Sequence, residues 1–104
     1  MIITTSEQIE GKKVIQTIGI VRGSTIRARH VGRDIMAGLR GLIGGEITDY
    51  TKMMAEAREQ AVQRMVEDAE KQGSNAIIEM RFSTSMIMSN CSEILAYGTG
   101  VVVE

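Results

Sequence analysis

Residues 48–72, TDYTKMMAEAREQAVQRMVEDAEKQ, carry the clearest hydrophobic period in the chain: Tyr50, Met54, Ala57, Ala61, Met65 and Ala69 recur every three or four positions. That spacing places all six on one stripe of an α-helix, and Met53, Val62 and Val66 widen it. Thr48 offers an N-cap hydroxyl, Asp49 a first-turn carboxylate that suits the helix dipole, and Gly73 a C-terminal stop. The small alanines on the stripe predict a helix lying close against what it covers.

Other segments show the two-residue period of strands. In KVIQTIGIVRGSTIRARHV, residues 13–31, Val14, Ile18 and Ile20 alternate with Ile15, Thr17 and Val21, which predicts a long strand covered on both faces. Gly23 is placed where a bulge or bend would help. A short strand is expected within Met1–Thr4. In NAIIEMRFSTSMI, Ile78, Met80, Phe82, Thr84 and Met86 face one way and Glu79, Arg81 and Ser83 the other. The closing EILAYGTGVVVE is apolar or small on both faces, so it wants a second layer or another chain over it.

Between the long strand and the long helix, DIMAGLRGLI at 34–43 has helical spacing, and Gly44-Gly45 would end it. The predicted order is therefore β-β-α-α-β-β: an α+β fold with a mainly antiparallel sheet, one long helix and one short helix packed on it. At 104 residues the whole chain, 1–104, reads as a single domain.

Composition narrows the class. No run of about 20 apolar residues exists, so no helix is expected to span a membrane. The start MIITTSEQIE lacks the pattern of a secretory signal, and the single cysteine, Cys91, excludes an intrachain disulfide; both favour a cytoplasmic protein. With no Trp, no Pro and one Phe, the core must come from aliphatics and eight Met. The net charge of −1 conceals two halves: seven basic residues against Asp34 alone between Lys12 and Arg40, then seven acidic residues against three basic ones between Glu46 and Glu70.

The segments VRGSTI, DIMAGLRGLIGGEITDYTKMMAEAREQAVQRM, GSNAI and AYGTGVVV closely resemble the YbjQ-like family of small bacterial proteins, over almost the whole chain. The family more often shows GANA and YGTAV where this chain has Gly73-Ser74-Asn75-Ala76 and Gly98-Thr99-Gly100-Val101. The resemblance implies an α+β subunit of a ring-like homo-oligomer, a pentamer, with no catalytic residues to transfer. A heavy-metal-binding label travels with that family.

The residues give the label little support. Soft-metal sites gather several thiolates or imidazoles, and one Cys and one His are present, about sixty residues apart, with no paired spacing. Only rings of identical side chains about an oligomer axis would supply more, and no metal ligand is assigned. The glycines of GLRGLIGGE do not form a phosphate loop either, because Glu46 and Ile47 stand where lysine and hydroxyl are required. They read as a turn that lets two helices pack.

Two functional readings follow. In the first, the oligomer is the working unit and binds a small anion or metal ion between subunits, with Arg27, Arg29, Glu46, Tyr50 and Arg58 as candidate ligand-binding residues. The second is an enzyme whose site is shared between subunits near Glu46, Tyr50 and Arg58, although no nucleophile-base-orienter set accompanies the carboxylates. Near-absent aromatics and the overall charge argue against nucleic acid as partner. The basic strand is expected to meet the acidic helix, within the subunit or across to a neighbour. Catalytic residues, cofactor and ligand identity are not specified by the sequence.

Overall fold

A computed structural model describes residues 1–28, 46–88 and 91–104, apart from the side chains of 28 and 46–50. Strand β1 (Ile2–Ile3) is followed by β2 (Val14–Ala28), helix α1 (Glu46–Lys71), β3 (Ala76–Met88) and β4 (Cys91–Val103). The four strands form one sheet in the order β1-β3-β4-β2. β4 is antiparallel to both of its neighbours, while β1 runs parallel to β3, so the sheet is mixed. The described order is β-β-α-β-β. The expected short helix at 34–43, and with it the second α of the anticipated order, lies outside the described residues.

Helix α1 packs its small-residue stripe on one face of the sheet. Ala57, Ala61, Met65 and Ala69 are fully buried, and Met54, Val62 and Val66 are half-buried beside them. Opposite them stand Val21, Ile77, Ile94 and Ala96 from three strands. Burying Met65 and Ile77 contributes on the order of 1.5–3 kcal/mol each. A smaller cluster of Ala76, Val101 and Val103, covered by Ile9 and Ile78, sits on the other face at one end. Elsewhere that second face is uncovered among the described residues: Ile20 is 72% and Ile26 56% exposed.

Several local expectations need correction. The helix already runs at Glu46, so Thr48 lies inside it and is not its N-cap. Its other end is as expected. Gly73 takes φ +93°, its N–H donates to Glu70, and Ser74 N–H donates to Ala69, a Schellman arrangement that only a left-handed residue closes well.

Gly23 is not a bulge. The β2–β4 register runs unbroken from Ile20 to Ala28, and the irregularities lie between Val14 and Gln16 and between Thr17 and Gly19. Gly23 instead faces the helix at its closest point: a methyl there would collide with the backbone of Ala61, Arg64 and Met65. The glycine is required by proximity, which hydrophobic alternation does not report.

The face pattern expected for β3 also breaks. Between Ile78 and Arg81 the strand carries an extra residue relative to β4, and Glu79 adopts φ +53°. Such a bulge shifts the phase of alternation. Ile77, rather than Ile78, therefore enters the core under the helix, whereas Met80 is buried as anticipated. Residues 4–6 follow this bulge, with Met80 N–H donating to Thr4, Glu79 N–H to Ser6, and Arg81 Nη1 to the Thr5 carbonyl.

Candidate functional site

Arg27 is the predicted site residue whose surroundings are best defined. It lies near the end of β2 on the face turned to α1, two residues beyond buried Thr25. Its Nη2 donates to Gln60 Oε1 at 3.0 Å. Arg27 and one flank of the helix, with Glu56, Glu59, Gln60 and Gln63, line an open groove of about 420 Å³. Those four helix residues recur at three- and four-residue intervals, so they share one side of α1. That spacing is legible in AEAREQAVQ, but only Arg27's arrival opposite it identifies the row as a groove wall.

The groove has one guanidinium and two carboxylates. Its charge is thus mixed and leans acidic, which fits a polar ligand with a cationic part better than a plain anion. Thr25 Oγ1, 1% exposed as a residue, has no hydrogen-bond partner among the described residues, and neither does Ser74 Oγ.

The remaining candidates do not gather around Arg27 in the described part of the molecule. Arg58 is exposed and is not part of the groove wall. Glu46 and Tyr50 belong to the first turns of α1, but their side chains lie outside the described residues, and so does Arg29. No cluster of three His, Cys, Asp or Glu that could hold a metal ion occurs among the described residues. No described helix is long and apolar enough to cross a membrane.

The meeting of basic strand and acidic helix takes a form the sequence does not announce. Along α1 and one residue past its end, Arg64, Asp68 and Gln72 are spaced by four and reach over the outer edge of β2. Arg64 Nη1 donates to the Ser24 carbonyl at 2.6 Å, Arg22 N–H donates to Asp68 Oδ2 at 3.0 Å, and Gln72 Nε2 approaches the Ile20 carbonyl at 3.5 Å. Gln72 also donates to Asp68 Oδ1 at 3.1 Å. The Arg22 N–H, then Gln72, then the charges of Arg22 and Lys71 hold the Asp68 carboxyl below its ordinary value. Helix side chains thus take the place of a neighbouring strand over the middle of β2. On the uncovered face, one row sets Arg22 and Arg81 on either side of Tyr97.

Comparison with known proteins gives the chain a family and a matching fold. The sequence model of the YbjQ family, described as "Putative heavy-metal-binding", matches residues 1–104. A UPF0145 protein of Methanosarcina acetivorans is 57% identical over 103 residues, 99% of this chain and 97% of that protein. One from Dehalococcoides mccartyi is 55% identical over the full length of both. Among solved structures, a protein of unknown function from Pediococcus pentosaceus superposes with a TM-score of 0.69, covering 100% of this chain and 98% of that one. At 18% identity, that likeness concerns the fold alone.

Proposed function

This chain belongs to the YbjQ family, and from that footing we propose that it is a self-assembling subunit whose working form is a homo-oligomer, a pentamer by family resemblance. One observation carries the reading: the described residues leave large apolar side chains in solvent that one globular chain would ordinarily cover. Met86 is 74%, Ile20 72% and Met88 64% exposed, and they occur with Ile15, Ile26 and Phe82 on long strands rather than singly. The Cα radius of gyration, 17.3 Å, supports it, since a closed domain of this length has about 13 Å. Equilibrium sedimentation of untagged protein tests the proposal: a single species near five chain masses is expected, and a monodisperse 11.4 kDa monomer at micromolar concentration would refute it.

The assembly is proposed to hold a small polar ligand in the Arg27 groove, completed by residues of the adjoining copy. Support comes from the half-buried guanidinium, which uses one of its donors on Gln60 and, among the described residues, has others left to offer. Calorimetric titration of nucleotides, organic anions and amino acids into wild type and Arg27→Ala tests this part. Heat released by wild type and lost in the variant supports it; equal or absent heats remove it.

A further inference from the structure

The sheet has two lateral edges, and each is protected along only part of its length. On the β2 side, Arg64, Asp68 and Gln72 occupy the backbone of Ile20, Arg22 and Ser24. No described residue reaches the outer edge of β2 over Val14–Ile18. On the β3 side, residues 2–6 pair with Ala76–Met80. From Phe82 to Met88 no described residue lies alongside the outer edge, and every residue of that stretch is exposed.

Open strand edges are ordinarily blunted with charge, proline or a covering segment. Here the reverse holds. The chain has 25 charged residues, yet VIQTIGIV (14–21) and FSTSMIM (82–88) contain none, and proline is absent throughout. Both stretches present apolar side chains: Ile15 is 51% and Ile20 72% exposed on one, and Phe82 45% and Met86 74% on the other.

Their positions decide what can cover them. Val14 pairs with Val103 at the end of β4, whereas Met86 and Met88 pair with Ser92 and Cys91 at its start. The two open segments therefore lie on opposite edges and at opposite ends of one sheet, and they cannot meet within a subunit. A two-fold axis would join like to like and leave the other pair of edges bare. Head-to-tail contact satisfies both edges of every copy, and such an interface closes into a ring when its rotation permits.

We infer that residues 82–88 of one copy add as a strand along residues 14–18 of the next, and that this backbone pairing is the joint between subunits. Because β2 and β3 both run antiparallel to β4, continuing the sheet in the same sense makes the new pair parallel. The inference rests on the proposed self-assembly and specifies its interface.

A cross-linking experiment tests it with the full chain in a Cys91→Ser background. Gln16→Cys and Ser85→Cys, both exposed positions, are introduced singly and together, then treated with a short bis-maleimide and run on a denaturing gel. The double variant is expected to give a ladder extending beyond the dimer, with each single variant remaining at one chain mass. Dimers from Ser85→Cys alone would show β3 meeting β3 and overturn the inference. An assembled double variant, verified by sedimentation, that yields no ladder would also overturn it while leaving self-assembly intact. A double variant that sediments as a monomer, like wild type, would bring down both.

Discussion

The amide of Arg22 donates to the carboxylate of Asp68 at 3.0 Å across 46 positions of sequence, so a helix side chain completes the exposed edge of a strand. This bond ties α1 to β2 and closes that part of the edge to other strands. It also makes the tie sensitive to pH. The Asp68 carboxyl is held below its ordinary value of 3.8 in the fold, so its contribution is present above that value and is lost as pH falls through the lowered folded value. Asp68→Asn keeps one acceptor oxygen and loses the charge. It is expected to cost about 1 kcal/mol at neutral pH, because the bond keeps an acceptor and loses its charge assistance. The wild-type advantage should shrink as pH falls from neutral to below the ordinary carboxyl value of 3.8. Urea unfolding of both proteins across that range checks it; a gap that does not change with pH would contradict the assignment.

Gly23→Ala tests how tightly the helix lies on the sheet. The added methyl meets peptide backbone at Ala61, Arg64 and Met65, which cannot rotate away as a side chain would. Overpacking against backbone is expected to cost about 2–3 kcal/mol, the upper part of the usual range. Thermal unfolding measures it, and a melting temperature within a degree of wild type would show that the helix stands further off.

Thr25→Val should behave in the opposite way. Thr25 is 1% exposed, and its hydroxyl has no described partner. Replacing an unsatisfied buried hydroxyl with a methyl of similar shape is expected to be neutral or to stabilise by up to about 1 kcal/mol. Chemical denaturation checks the sign. A loss of more than about 1 kcal/mol would mean that the hydroxyl does have a partner in the assembled protein.

The helix stripe was readable because a 3.6-residue period sustained over 48–72 admits one interpretation, and Ala57, Ala61, Met65 and Ala69 are all buried as that period requires. Mixed sheet topology was harder to read. Ile2–Ile3 is too short for its pattern to show that it runs parallel to β3. The bulge at Glu79 could not be seen because one inserted residue reverses the faces of a strand without changing its composition. Gly23 was visible as a glycine but misassigned, since the approach of helix backbone leaves no local signature. Of the candidate site, Arg27 was put forward from its place on the basic strand. Its wall of Glu56, Glu59 and Gln63 was not, because polar residues at helical spacing describe any solvated flank until a cation is known to face them. Arg64, Asp68 and Gln72 illustrate the same limit: their four-residue spacing is plain, and the strand edge they reach is not.

The central claim is that one copy of this chain does not complete its own sheet. Sedimentation velocity of the untagged protein, at concentrations from below one to about one hundred times micromolar, addresses it most directly, because subunits joined through apolar strand edges should stay associated on dilution. The account predicts one boundary at several times the 11.4 kDa chain mass throughout that range. A lone boundary at a single chain mass, from a folded protein with native circular dichroism, would contradict it.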